Sequence, residues 1–179
     1  MRYFKKISGE RIYLSPVNID DAPVFTKWMN DEAVSGNLEQ YSQNFSVEAE
    51  QEFLKQLSSG GHDYAIVLRE GNVLLGLISI NRINKISRKA SIGMFIGEAD
   101  QRGKGYGSEA LRLILDYGFS TLNLHNIMLT VHADNEQAIA CYKKAGFREF
   151  GRRKEACFKR GRYFDTVYME ILPGDFYKK

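Results

Sequence analysis

The sequence predicts an α/β (α+β) fold, a mixed and mostly antiparallel central sheet flanked by helices, in a single domain over residues 1–179. Length, composition and element order predict it. A chain of 179 residues suits one domain and can bury roughly 70% of its unfolded surface, so no staples are required. With 44% hydrophobic and 26% charged residues it is globular rather than disordered. Strand-like runs and amphipathic helical stretches follow one another as β, α, α, a meander of three strands, then α, β, α, β, β, without linker, repeat or low-complexity stretch.

Arg11–Leu14 reads as a strand ending at Ser15-Pro16. Asn18 is a helix cap, with Asp20 and Asp21 in the first turn, where carboxylates suit the helix dipole. Ala22, Phe25, Trp28 and Met29 then recur at helical spacing. Ser46 caps a second helix with Glu48 and Glu50 early, Phe53, Leu54 and Leu57 apolar, and Gly60-Gly61 as the stop. Tyr64–Leu68 and Val73–Asn81 are strands joined by a hairpin turn at Glu70-Gly71-Asn72. Arg82–Arg88 is polar and turn-like, and Lys89–Ile96 is a further strand. A glycine-rich loop over Gly97–Gly107 leads to a helix over Ser108–Leu122, with Ala110, Leu111, Ile114, Leu115 and Phe119 facing inward. Ile127–Val131 is a short buried strand, and Asn135–Ala145 is a helix closed by Gly146 in the left-handed cap position. Two strands, near Glu155–Phe158 and Tyr163–Ile171, turn at Arg160-Gly161.

The formal net charge of +3 lacks the concentrated basic face of a nucleic-acid binder. Residues 1–60 carry nine acids and six bases, so the basic excess lies beyond them, in the part with the glycine-rich loop. That distribution suits an anionic ligand, as it would suit lysines scattered over solvated faces. The two cysteines, Cys141 and Cys157, form no C-x-x-C pair, and a cytoplasmic setting is the simplest expectation. Cys141 reads as core packing. No signal peptide or membrane span is expected. His62, His125 and His132 lack paired metal-ligand spacing, so no metal is expected.

Arg102-Gly103-Lys104-Gly105-Tyr106-Gly107-Ser108 follows a strand and opens a helix. Alternating glycines clear a tight turn of side chains, so main-chain N–H groups and the positive end of the helix can face an anion. Arg102 and Lys104 add formal charge, and a pyrophosphate is a natural guest; a plain flexible helix cap is the bland alternative. The spacing is G-x-G-x-G, and Leu122–Asn126 holds no acidic residue, so this is not the dinucleotide fingerprint. Further on, Asn135, Ala138 and Tyr142 share one helix face, with Tyr142 about 10 Å along the axis from Asn135. Small Ala138 leaves room for a ligand along that face, and Asn135 could cap the helix or bond a ligand amide. An aromatic there, taken alone, is more often core.

Together these segments resemble the GCN5-related N-acetyltransferase (GNAT) superfamily. Its Q/R-x-x-G-x-G/A motif matches Arg102–Gly107, and its N-x-x-A-x-x-x-Y-x-K-x-G-F pattern matches Asn135–Phe147. Gly9–Leu14 and Leu122–His125 look like the branch with ribosomal-protein alanine acetyltransferases and spermidine acetyltransferase. The resemblance implies a V-shaped split between the two central strands, Lys89–Ile96 and Ile127–Val131, that admits acetyl-CoA as acetyl donor. Pantetheine would add to the main chain at Met94, Phe95 and Ile96, and the pyrophosphate would sit on residues 102–108. Main-chain N–H groups of that strand would polarise the thioester carbonyl. A primary amine would attack directly, with Tyr142 giving a proton to the thiolate.

Many relatives carry a glutamate where Ser91 stands, so a water held by Ser91 or Asn81, or a residue such as Glu39, is left to serve as base. The acceptor classes implied are a protein N-terminus, a polyamine or small amine, and an amino sugar or aminated antibiotic; no nucleic-acid or membrane partner is expected, and a homodimer is compatible. Asp20, Asp21, Asp31, Glu32, Glu39 and Glu48 would attract a cationic acceptor if they are not simply helix-start and surface carboxylates. The alternative on the same fold is a non-catalytic acyl-CoA-binding sensor; a nucleotide enzyme using the glycine loop is a third.

Overall fold

The computed structural model describes residues 2–38 and 42–178. Its strands are β1 (Ile7–Ser8), β2 (Ile12–Pro16), β3 (His62–Leu68), β4 (Val73–Asn84), β5 (Lys89–Ile96), β6 (Asn126–His132), β7 (Arg148–Lys159) and β8 (Arg162–Ile171). Its helices are α1 (Ala22–Met29), α2 (Glu32–Ser35), α3 (Val47–Ser58), α4 (Tyr106–Ser120), α5 (Glu136–Ala145) and α6 (Pro173–Tyr177). The strands form one sheet in the order β1-β2-β3-β4-β5-β6-β8-β7. Pairing is antiparallel from β1 to β4 and across β6, β8 and β7, whereas β5 and β6 run parallel. This is the mixed, mostly antiparallel sheet the sequence predicts. The β5–β6 ladder joins Lys89–Ser91 to Asn126–Met128 and stops there, while both strands continue.

Two compact units emerge from the contacts, Met1–Ile80 with Met94–Ile114, and Asn81–Gly93 with Leu115–Lys179. In the N-terminal unit, the i, i+3 spacing of Phe25 and Trp28 puts both rings inward from α1, and Phe95 of β5 meets each ring edge-on at 6.0 Å. Tyr13, Leu54, Val67 and Leu77 are among the residues that share that core. Gly97 lies under the indole: a Cβ there would stand 2.1 Å from the Trp28 ring, so only glycine permits the approach. Trp28 Nε1 in turn donates to Glu98 Oε1 at 3.0 Å. The Lys27 ammonium first, then this indole N–H, holds the Glu98 carboxyl below its ordinary range. The strand end before the glycine loop is thus anchored on α1.

In the C-terminal unit, period-2 alternation sorts the two faces. Ile127, Leu129 and Val131 of β6 pair with Ile171, Met169 and Val167 of β8, and all six are buried. The opposite face carries Met128, Thr130 and His132 beside Glu170, Tyr168 and Thr166; of these only His132 is buried.

Several boundaries differ from expectation for non-local reasons. Strand β2 starts at Ile12 rather than Arg11 and runs through Pro16, and β1, α2 and α6 are additional elements too short for a periodic signal. Strand β4 runs on to Asn84, and β7 begins at Arg148 rather than Glu155, because pairing with β8 carries irregular sequence. Asn18 caps a one-turn 3-10 helix over Ile19–Asp21, accepting from Asp20 N, and α1 follows it. Asp21 is therefore no exposed dipole carboxylate: it is buried, taking the Tyr3 hydroxyl at 2.8 Å and the Arg2 guanidinium. Burial first, then the Asp21 hydrogen bond, pushes the Tyr3 phenol far above its usual range.

Ser46 caps α3 as expected, accepting from Ala49 N. Glu50, one turn in, shares the inward face with Leu54 and is 2% exposed, and its Oε2 has no hydrogen-bond partner. Desolvation raises its pKa. The folded state then holds the Glu50 proton more tightly than the unfolded chain, so the stability it confers is full at low pH and is lost as pH rises through the raised value. We predict that Glu50→Gln melts above the parent at pH 8 by about 2–4 °C, the shift that ~1 kcal/mol gives in a chain of this size. The gap should close as pH falls to about 4, near the ordinary Glu pKa; calorimetric melts across pH check it.

Candidate active site

The glycine-rich segment builds its shape from the main chain. After β5, a 3-10 turn over Ala99–Gln101 closes with Arg102 N donating to Ala99 O. Gly103 and Gly105 take φ values of +75° and +85°, a region that favours glycine. No atom lies within 4 Å of a Cβ built on Gly103, so that part of the turn is open. Glu109 N donates to Gly105 O at 3.0 Å, the first helical bond of α4. Helix α4 begins at Tyr106 rather than Ser108, which places Tyr106, Gly107 and Ser108 in its first turn. The N–H groups of a first turn have no acceptor within the helix, and they carry its positive dipole end.

Charged side chains hold this turn rather than project from it. Arg102 donates from Nε to Ile96 O, from Nη2 to Gly97 O and from Nη1 to Ala33 O, at 2.8–3.0 Å. Its guanidinium thus clips the loop to β5 and to α2, instead of standing free to face an anion. Lys104 is exposed, with Nζ on Gln101 Oε1 at 3.2 Å.

Arg11 and Glu109, neither of which sequence reasoning singled out, form the second clip. Arg11 Nε meets Glu109 Oε2 at 3.0 Å, Arg11 Nη1 meets Lys104 O at 2.9 Å, and Glu109 Oε1 accepts from the Arg11 and Ile12 main-chain N–H groups. The Arg11 guanidinium also lies 5.0 Å from the Tyr106 ring centroid. Burial opposes ionisation of Glu109, but the two N–H donors and the guanidinium prevail and hold its pKa below the ordinary value. These partners lie 98 residues apart, so local spacing carries no signal of them.

Among the β5 candidates, Phe95 turns its ring into the aromatic core, whereas Met94 and Ile96 face α4. A Cβ on Gly107 would stand 3.6 Å from Met94 Cε and 3.7 Å from Ile96 Cγ1. Met94, Ile96, Gly107 and the clipped turn are therefore brought together in one unit.

In the other unit, Asn135 caps α5 through Oδ1, which accepts from Ala138 N at 3.2 Å. Its Nδ2 has no partner among the described residues, so capping still leaves an amide donor. Tyr142 is 8% exposed and packs on Phe147 with ring centroids 5.8 Å apart. Its hydroxyl makes no hydrogen bond among the described residues. Burial, with a small contribution from Cys141, pushes its pKa up to about 12. Cys141 itself is only half-buried. Ser91 donates weakly to the Asn81 carbonyl at 3.3 Å. Glu39, the acidic alternative for the base, falls outside the described residues. Among the described residues no group of three or more His, Cys, Asp or Glu is placed to hold a metal ion, and no helix is long and apolar enough to cross a membrane.

The mixed sheet with one short parallel step, and the glycine turn that opens α4, make up an α/β fold shared with acetyltransferases of known structure. The chain belongs to the GNAT acetyltransferase family: residues 11–148 match the model of the acetyltransferase (GNAT) domain. It is 39% identical over 103 residues to spermidine N(1)-acetyltransferase of Vibrio cholerae, a stretch covering 58% of this chain and 59% of that protein. It is 26% identical over 171 residues to the uncharacterised N-acetyltransferase p20 of Bacillus licheniformis, covering 93% and 96% of the two chains. The solved structure of spermidine N-acetyltransferase from Vibrio cholerae in complex with CoA and spermine superposes with a TM-score of 0.82 at 27% identity, covering 94% of this chain and 99% of that one.

Glu109→Ala leaves the Arg11 and Ile12 N–H groups without their acceptor, a loss of about 1–3 kcal/mol. Hydrogen exchange at those two amides should quicken by roughly tenfold for each 1.4 kcal/mol lost. Unchanged exchange would mean that Glu109 does not hold the strand.

Proposed function

We propose that residues 1–179 act as one acetyl-CoA-dependent N-acetyltransferase domain whose acceptor is a primary amine of the polyamine type. The observation that carries this reading is the clipped, glycine-relieved turn at the start of α4. The family match, which runs from Arg11 to Arg148 through both compact units, supports the single domain. Likeness to spermidine acetyltransferases supports the polyamine acceptor.

The residues fit a bound acetyl-CoA. The open space over Gly103 and the first-turn N–H groups of α4 would take the diphosphate, with Lys104 alongside. Main-chain groups of Met94–Ile96 would pair with pantetheine as an added strand. Asn135 Nδ2 would donate to a pantetheine amide. The thioester supplies an activated acetyl group, and a main-chain N–H of β5 would polarise its carbonyl. The acceptor amine attacks that carbonyl; the C–N bond forms and the C–S bond breaks, with no acyl-enzyme.

Tyr142 carries a neutral phenol at every physiological pH, because its pKa is raised to about 12. A thiol titrates near ~8.5, so complete proton transfer from so weak an acid is uphill. Tyr142 therefore acts chiefly as a hydrogen-bond donor to the departing thiolate. Ser91 offers only a hydroxyl where a carboxylate base is common, so the amine proton passes to water ordered near Ser91 and Asn81. The acidic residues of the N-terminal unit contribute less to attracting a cation than their number suggests: Asp21 and Glu50 are buried, and Asp31 caps α2.

Thiol release from acetyl-CoA, measured across polyamines, peptides, amino sugars and aminoglycosides, tests the reading. Spermidine or spermine should give the highest kcat/KM, and Tyr142→Phe should cut kcat by about 10²-fold with acetyl-CoA affinity held. Tight acetyl-CoA binding with no thiol released from any amine would replace the enzyme by a sensor. Best activity on peptides would move the acceptor to a protein N-terminus.

A further inference from the structure

One face of the C-terminal sheet carries a thiol–imidazole pair that the acetyl-transfer reading does not use. Cys157 Sγ of β7 lies 3.8 Å from His132 Nδ1 at the end of β6. The contact crosses a strand. Since β8 lies between β6 and β7, the two backbones are about 9–10 Å apart, and an ordinary register would leave the side chains short of each other.

Strand β7 is irregular at this point. Its register against β8 shifts between Arg153, opposite Thr166, and Cys157, opposite Phe164. Within the shift Glu155 has φ +50°, and its N–H is caught by Asp165 Oδ1 at 3.0 Å. Bulges re-aim side chains, and this one brings the thiol over β8 to the imidazole. His132 is 8% exposed and Cys157 half-buried, so the ring is the more sheltered of the two residues. His132 is also fixed from behind, because its carbonyl accepts from Asn135 N at 3.0 Å. Two ion pairs lie on neighbouring residues, Lys159 Nζ with Asp134 at 2.6 Å and Arg152 with Asp165. The imidazole is the group that the thiol itself contacts.

We propose that Cys157, activated by His132, is a modification site that reacts with low-molecular-weight disulfides. The S–H proton moves to His132 Nδ1, and the thiolate attacks one sulfur of the disulfide. A new S–S bond joins Cys157 to that half; the old S–S bond breaks, and the other half leaves as a thiolate that takes up a proton from solvent. No further oxidant is required. A thiolate beside an imidazolium is the environment that lowers thiol pKa and concentrates reactivity.

The chain supplies its own control, since Cys141 is the only other cysteine. In the whole native protein, alkylation by iodoacetamide is followed at each cysteine by mass spectrometry from pH 5 to 10, with oxidised glutathione as the disulfide probe in parallel. Cys157 should react at least about tenfold faster than Cys141 at pH 7, with a rate midpoint well below the ordinary thiol value of ~8.5. Glutathione should appear on Cys157 first. His132→Gln should return the midpoint to about 8.5. A Cys157 midpoint at or above that value in the parent protein overturns the proposal without recourse to a variant. So does an unchanged profile in folded His132→Gln, or glutathione added preferentially to Cys141.

Discussion

The arrangement of the site depends on how a stretch of nearly bare main chain is held at the start of α4. Glycines alone would give a loose turn, because their freedom costs entropy when ordered. Here the order comes from two arginines, Arg102 at the start of the turn and Arg11 from the chain just before β2. Arg102 closes it onto the carbonyls of Ile96 and Gly97 and onto Ala33. Arg11 ties Lys104 O to Glu109, and Glu109 ties β2 to α4. Cationic side chains thus act as fasteners of the turn rather than as free charges on it. Preorganised dipoles need no rearrangement when an anion arrives.

The same economy extends to the strand that enters the turn. Trp28 lies on Gly97 and bonds Glu98, and Phe95 completes the aromatic group. The apolar anchoring of Phe95 fixes where Met94 and Ile96 face, on the side of Gly107. Core packing therefore sets the position of the strand end and of the turn that follows it. A loosened indole would shift the main-chain groups expected to meet pantetheine.

Elements with local signals were legible in the sequence. Ser46 caps α3 through Ala49 N, Gly146 takes φ +114° at the end of α5, and the turns at Gly71-Asn72 and Arg160-Gly161 have positive φ at both residues. The glycine turn and the α5 face with Asn135, Ala138 and Tyr142 were legible because their residues sit close in sequence. What escaped was contact at long range. Asp21 and Glu50 read as first-turn carboxylates, since Arg2, Tyr3 and the packing around α3 leave no periodic trace. Arg102 read as an anion ligand because nothing in its own segment reveals three carbonyl acceptors. The β7 irregularity that joins Cys157 to His132 is equally invisible to alternation, which assumes a constant register.

On the proposed reading, main-chain N–H groups of the turn receive the diphosphate of coenzyme A. Amide-resolved NMR of the native protein, titrated with coenzyme A and separately with pantetheine, reads that contact residue by residue. The amides of Gly103, Lys104, Gly105 and Gly107 should show the largest downfield shifts with coenzyme A and stay nearly still with pantetheine, which lacks the diphosphate. Saturating coenzyme A that leaves those amides unmoved while shifting others would mean that the diphosphate binds elsewhere.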